Sequence, residues 1–303
     1  MIGKSMVLLT FGICTVTGLR KLEGYLRALN SVDAYLKGSQ EQLEKLLGIF
    51  LPCVSLSLVV AIGVTIFSTF PGMPYYLVSM AHIVLMSLVT LQYVMLMLEL
   101  WARFRTLNGH LLESLRSAGD SEMGALLGGT TTPSSQLRLQ PTRQRHLRDA
   151  YITLTHAADL LQQHFGLPMA VNIATCVCGG ACSLYEMIIM VINPHWILQF
   201  SVIRSAASST AWFLFHSFKL VSVALSAAAA ADAAAATGVI LLRTSVVSGW
   251  CDPHDDAFLC LTLQTPPLRF TAAGFFTIDR PLLVSAIAAI VTYVIILVQL
   301  TPY

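Results

Sequence analysis

Apolar length is the feature that most constrains this chain. Segments 47–69, 75–99, 167–192 and 273–300 are each dominated by aliphatic and aromatic side chains. A bilayer core of about 30 Å is crossed by about 20 helical residues, so each segment is long enough to span it. Composition agrees, with 55% hydrophobic residues, 11% charged and a mean hydropathy of +0.71. Soluble domains carry about a quarter charged residues. Backbone polar groups in lipid must be satisfied within the segment, which selects helices. The expected class is therefore an all-α, polytopic membrane protein, one transmembrane domain over 1–303.

Two further segments are less simple. Residues 5–19 read as a short span behind Lys4. Residues 197–242 begin with Arg204, His216 and Lys219 and end in an alanine run interrupted by Asp232. One helix of that length would measure about 69 Å at 1.5 Å per residue. Alanine is a strong helix former but only weakly apolar. The span is expected at 197–220, with the alanine half continuing into water.

The basic residues set the orientation. Segment 20–46 holds Arg20, Lys21, Arg27, Lys37 and Lys45, and segment 100–148 holds seven arginines from Arg103 to Arg148. Segment 219–270 holds Lys219, Arg243 and Arg269, whereas 70–74 and 193–196 hold none. Cytoplasmic loops carry the excess of Lys and Arg. The basic segments are thus expected inside and the C-terminus outside.

Three stretches expected on the cytoplasmic side, or leading from it into a span, carry apolar stripes at helical spacing. Leu22, Tyr25, Leu26, Leu29, Val32 and Leu36 form one, and Leu100, Phe104, Leu107, Leu111 and Leu115 another. Leu147, Tyr151, Leu154, Leu161 and Phe165 form the third. Helices that overshoot the bilayer with one apolar face should bundle below it. This predicts long transmembrane helices extending into a cytoplasmic anchor bundle. The Gly-, Ser-, Thr- and Pro-rich stretch 118–143 reads as a flexible cytoplasmic linker.

Other function classes lack support. The net charge of +2 leaves no nucleic-acid footprint. There is no P-loop, GxGxxG, HExxH or GxSxG, so neither an enzyme nor a cofactor is expected. The seven cysteines form no disulfide pattern. Cys176, Cys178 and Cys182, around Gly179 and Gly180, suit close helix packing better than a metal. The cluster 251–256, with one Cys, one His and three Asp, reads as a solvated turn.

The last helix carries a sequence resemblance. Thr292 and Tyr293, then five apolar residues, then Gln299 and Leu300 resemble the closing signature of the insect gustatory receptor family. That signature ends Gln-Phe, and Leu300 replaces the Phe. Segments 272–283, 103–108, 30–36 and 164–168 are also family-like, so the resemblance runs from about residue 20 to the end. It implies a seven-span receptor whose first helix is absent here, with 5–19 the remnant of the second. A genuine six-span form is the alternative.

The resemblance further implies a tastant-gated, non-selective cation channel in the plasma membrane. It would be a homo- or hetero-tetramer within the family, bathed in membrane lipid, with a small-molecule tastant and permeating cations as partners. The rival class is a metabotropic seven-helix receptor signalling through a G protein. Against that rival, no Asp/Glu-Arg-Tyr follows a span, and Asn193-Pro194 lies in an outside loop rather than in the last helix.

Two readings of Gln299 stand together. On Thr292, Ile296 and Gln299, spaced i, i+4 and i+7, a pore stripe is expected, with Ile296 or Leu300 closing the path by dewetting. On the other reading, Gln299 bonds a neighbouring span. Tyr293, about 100° away, is expected to pack against a neighbouring helix. Asp279 suits the helix N-terminus. Residues of the outer half, namely Tyr75, Tyr76, Tyr185, Glu186, Arg204 and Trp212, are candidates for a ligand pocket.

Overall fold

The computed structural model describes residues 21–33, 53–57, 59–60, 62–63, 74–126, 141–192, 199–247 and 267–300. The expected span 5–19, residues 127–140 of the expected linker and the cluster at 251–256 lie outside them.

The described residues are helical almost throughout. Helix α1 covers 21–33, and α2 gathers the helical residues between 53 and 63. Helices α3 (Pro74–Leu126), α4 (Pro141–Ile192) and α5 (Gln199–Val247) follow, and α6 is Arg280–Leu300. A small antiparallel hairpin, β1 (Thr271–Ala272) and β2 (Phe276–Thr277), precedes α6. Among the described residues, four helical stretches are long and apolar enough to cross a membrane. They are Met80–Glu113, His146–Ile192, Ala206–Ile240 and Arg280–Leu300.

Length forces the architecture. With 53 residues, α3 measures about 80 Å, well over twice a bilayer core. The surplus must find partners, and the stripes supply them. Tyr25, Leu29 and Val32 of α1 are buried against Leu100, Phe104 and Leu107 of α3. From α4, Leu147, Tyr151, Leu154, Leu161 and Phe165 complete the same core. Leu26 departs from expectation and is exposed, because it lies one residue off the Tyr25 face. The 118–143 stretch is helical at both ends, since α3 runs to Leu126 and α4 starts at Pro141.

One face of the alanine run is packed against the other helices. Ala224, Ala227, Ala228, Ala230 and Ala234 are buried. Small side chains let α5 lie close against α3, which long side chains would prevent. Asn108 of α3 secures the contact, donating from Nδ2 to the Ala233 carbonyl at 2.8 Å. The Thr237 hydroxyl in turn donates to Asn108 Oδ1 at 2.7 Å.

Polar ties connect the remaining elements. Arg103 grips Asp33 with two hydrogen bonds of 2.9 and 2.8 Å. The Tyr25 hydroxyl donates to the Leu96 carbonyl at 2.8 Å. Burial, together with nearby Glu99 and against the opposing pull of Arg103, pushes its pKa up from the usual tyrosine value.

Candidate functional site

The base of α6 is built by the hairpin. Ala273 (φ 51°) and Gly274 (φ 79°) both adopt left-handed backbone, and the Phe275 amide donates to the Ala272 carbonyl at 3.0 Å. Two central residues with positive φ make the turn that matches strand twist. The hairpin lies on α4 at Gly166, where an added Cβ would come within 3.1 Å of the Ala273 nitrogen. Gln162 Nε2 also donates to the Thr271 hydroxyl at 2.7 Å.

Asp279 then starts the helix. Its Oδ1 accepts from the Leu282 amide at 3.2 Å, and its Oδ2 accepts from the Thr277 hydroxyl at 2.9 Å. This is N-capping, in which a carboxylate satisfies an orphan amide and meets the positive end of the dipole. Arg280 reaches across to Asp232 of α5 at 2.8 Å.

Along α6, only Ala286 and Val294 are buried. Thr292, Ile296, Gln299 and Leu300 are all exposed. At 100° per residue, Thr292, Ile296 and Gln299 lie about 140–160° around the axis from Val294. The proposed stripe therefore faces away from the rest of the chain. The Thr292 hydroxyl donates to its own helix at Ala288. Gln299 makes no hydrogen bond to another helix among the described residues. Tyr293 is 56% exposed, so its own chain does not bury it.

The outer-half candidates divide. Trp212 packs with Val59, Ile62, Met80, Ile83 and Phe215, joining α2, α3 and α5. Glu186 Oε2 accepts from the Ser209 hydroxyl at 2.7 Å, tying α4 to α5. Tyr185 is part-buried on α4, one residue before Glu186. The structure thus brings Glu186 and Trp212 to one end of the α4–α5 contact, three residues apart across Ser209. Tyr75 and Tyr76 lie on α3 and Arg204 on α5, with side chains outside the described set.

Sequence reasoning missed Ser209, Asp232 as the Arg280 partner, and the closeness of His216 to α4. Their signals were a hydroxyl and two ionisable groups inside otherwise apolar helices. Gly179 and Gly180 do permit close packing. An added Cβ would meet His216 Nε2 at 2.3 Å in the first case and Ile290 Cδ1 at 3.3 Å in the second. Among the described residues, no three His, Cys, Asp or Glu side chains converge as metal ligands.

Long helices that cross a bilayer and continue as a packed bundle, with a least-buried last helix, define a multi-pass helical membrane protein. The family model for the 7tm chemosensory receptor matches residues 6–301. The chain belongs to that family, which is a receptor family rather than an enzyme family. The fold is similar to that of the insect olfactory receptor OR5 from Machilis hrabei. That match has 11% identity and a TM-score of 0.57, covering 97% of this chain and 80% of the other. The same receptor in complex with eugenol matches at 14% identity and a TM-score of 0.48, over 99% and 86% of the two chains. No curated protein matches the chain.

Proposed function

We propose that the chain is a gustatory receptor and a subunit of a tetrameric, tastant-gated, non-selective cation channel. It sits in the plasma membrane with its C-terminus outside. One observation carries the reading. The most apolar span, α6, is almost unburied by its own chain, yet it places an amide, Gln299, on its outward face. Lipid would accept the aliphatic residues there but not an unpaired amide. A water-filled axis shared by four copies accepts both, with Ile296 and Leu300 as the apolar constriction. Tyr293, at the edge of that face, packs against the neighbouring subunit. The closing Thr-Tyr and Gln of α6 favour taste over smell, and the pocket near Trp212, Glu186 and Tyr185, with Tyr76 and Arg204, receives the tastant.

The test is recording from excised inside-out patches with surface display checked by tag, a tastant panel in the pipette and no nucleotide in the bath. Tastant-dependent current is expected. Silence despite surface display, with a G-protein-dependent signal in intact cells, contradicts the channel reading.

A further inference from the structure

Two contacts pin the α4–α5 seam. Glu186 Oε2 accepts from the Ser209 hydroxyl at 2.7 Å. The His216 ring sits against Gly179, where an added Cβ would collide with Nε2. Gly179 and Glu186 are seven residues apart on α4, and Ser209 and His216 are seven apart on α5. Both contacts therefore belong to one antiparallel register. Seven residues return to the same face of a helix within about 20°. Trp212 falls between the two contacts on that face of α5, three residues after Ser209 and four before His216.

The direction of the indole follows from its neighbours. Trp212 stacks on His216 with ring centroids 5.5 Å apart and planes at 21°, and Phe215 meets it edge-on at 6.0 Å. Both neighbours are C-terminal to Trp212, so they cover the indole from that side. Helical side chains lean toward the N-terminus of their helix. The opposite face of the indole thus looks back over the turn of Ser209, to which Glu186 is bonded. Trp212 is part-exposed and Glu186 is exposed.

Glu186 is the costly group here. It lies in the apolar stretch His146–Ile192, six residues or about 9 Å from the end of α4. Ser209 occupies Oε2, and Oε1 has no hydrogen-bond partner among the described residues. No Lys, Arg or His among them pairs with the carboxylate. Ionisable groups within a span pair with an opposite charge or line a hydrated cavity. Arg204 does not share the Ser209 face, since it falls about 140° around α5 from that residue.

We infer that this seam takes an organic ammonium ion, a protonated or quaternary amine, held between the Glu186 carboxylate and the open face of Trp212. The carboxylate supplies the counter-charge, and Ser209 holds it in place. The indole is the best cation–π acceptor among side chains and rewards a cation that has shed its water. A neutral ligand would desolvate the carboxylate without compensating it, so the pair selects for positive charge. The inference rests on the reading that this pocket receives the tastant, and it narrows the tastant to a cation.

The test is thermal unfolding of the full-length receptor in non-ionic detergent, which needs no current. Tetramethylammonium, choline and benzyltrimethylammonium chlorides replace sodium chloride at constant ionic strength. Dimethylbutanol serves as the uncharged carbon isostere of choline. At least one ammonium probe should raise the melting temperature by about 2 °C for each tenfold excess over its dissociation constant, and the alcohol should not. Glu186→Gln, which keeps an oxygen for Ser209, should abolish the rise. Trp212→Leu, as a second variant, keeps an apolar side chain against Val59 and Ile62 and should weaken binding about fivefold or more. A parent indifferent to all three probes overturns the ammonium class and leaves Glu186 as a tie to Ser209. A full response in Glu186→Gln overturns it equally. An equal rise with dimethylbutanol also overturns it, and leaves a pocket for neutral ligands. The pocket reading itself fails by a different result, a tastant-evoked current unchanged in Trp212→Leu.

Discussion

Asp232 and Arg280 form an ion pair of 2.8 Å that joins the middle of the alanine-rich helix to the first residue of the last helix. It explains a carboxylate that looks misplaced within a run of alanines. Both side chains are more than half exposed, so the pair adds little to stability. Asp232→Ala should lower unfolding stability by at most about 1 kcal/mol. The exchange Asp232→Arg with Arg280→Asp should recover the loss, and a double-mutant cycle on thermal unfolding checks both.

Asn108 is the stronger tie. It bonds the Ala233 carbonyl and receives the Thr237 hydroxyl in a buried setting. Asn108→Leu leaves the fully buried Thr237 hydroxyl without this partner. A loss of about 2 kcal/mol is expected, measured as a lower melting temperature and poorer surface display.

Gly179 sets the α4–α5 spacing. A Cβ there would come within 2.3 Å of His216 Nε2, so backbone or ring must shift. Gly179→Ala should destabilise the protein, and adding His216→Ala should return most of the loss. Independent, additive losses would show that the two do not touch.

Tyr25 predicts an alkaline step. Its pKa is raised in the folded protein, chiefly by burial, so folding favours the neutral phenol. That contribution is complete below the unfolded value of about 10 and is lost as pH climbs above it. Tyr25→Phe should lose about 1 kcal/mol at neutral pH, through the missing bond to Leu96, and should show a shallower decline above pH 10. Parallel pH–stability curves for parent and variant would count against this account.

The long helices and their stripes were legible because burial repeats with the helical period. Phe104, Leu107, Leu154 and Leu161 are buried where the spacing places them. The alanine run was not legible, since alanine signals neither lipid nor water on any transfer scale. Its burial depends on how closely α3 approaches, which Asn108 helps determine from 125 residues away in sequence. The Arg103–Asp33 pair shows the same limit: both segments stood out as family-like, but their contact spans 70 residues. The base of α6 was partly visible, because Asp279 before Pro281 is a helix-start signal. The outward direction of Gln299 was not, because it depends on which face of α6 meets α4.

The central claim is that the face of α6 opposite Val294 lines a cation pathway. Cysteine substitution with a charged, membrane-impermeant thiol reagent applied from outside tests it most directly, in patches with an active receptor. Gln299→Cys and Ile296→Cys should lose tastant-evoked current on exposure, faster when the channel is open, while Val294→Cys, buried on its own chain, should be unaffected. Current that survives modification at Gln299 and Ile296, with surface labelling of those cysteines demonstrated, would contradict the claim.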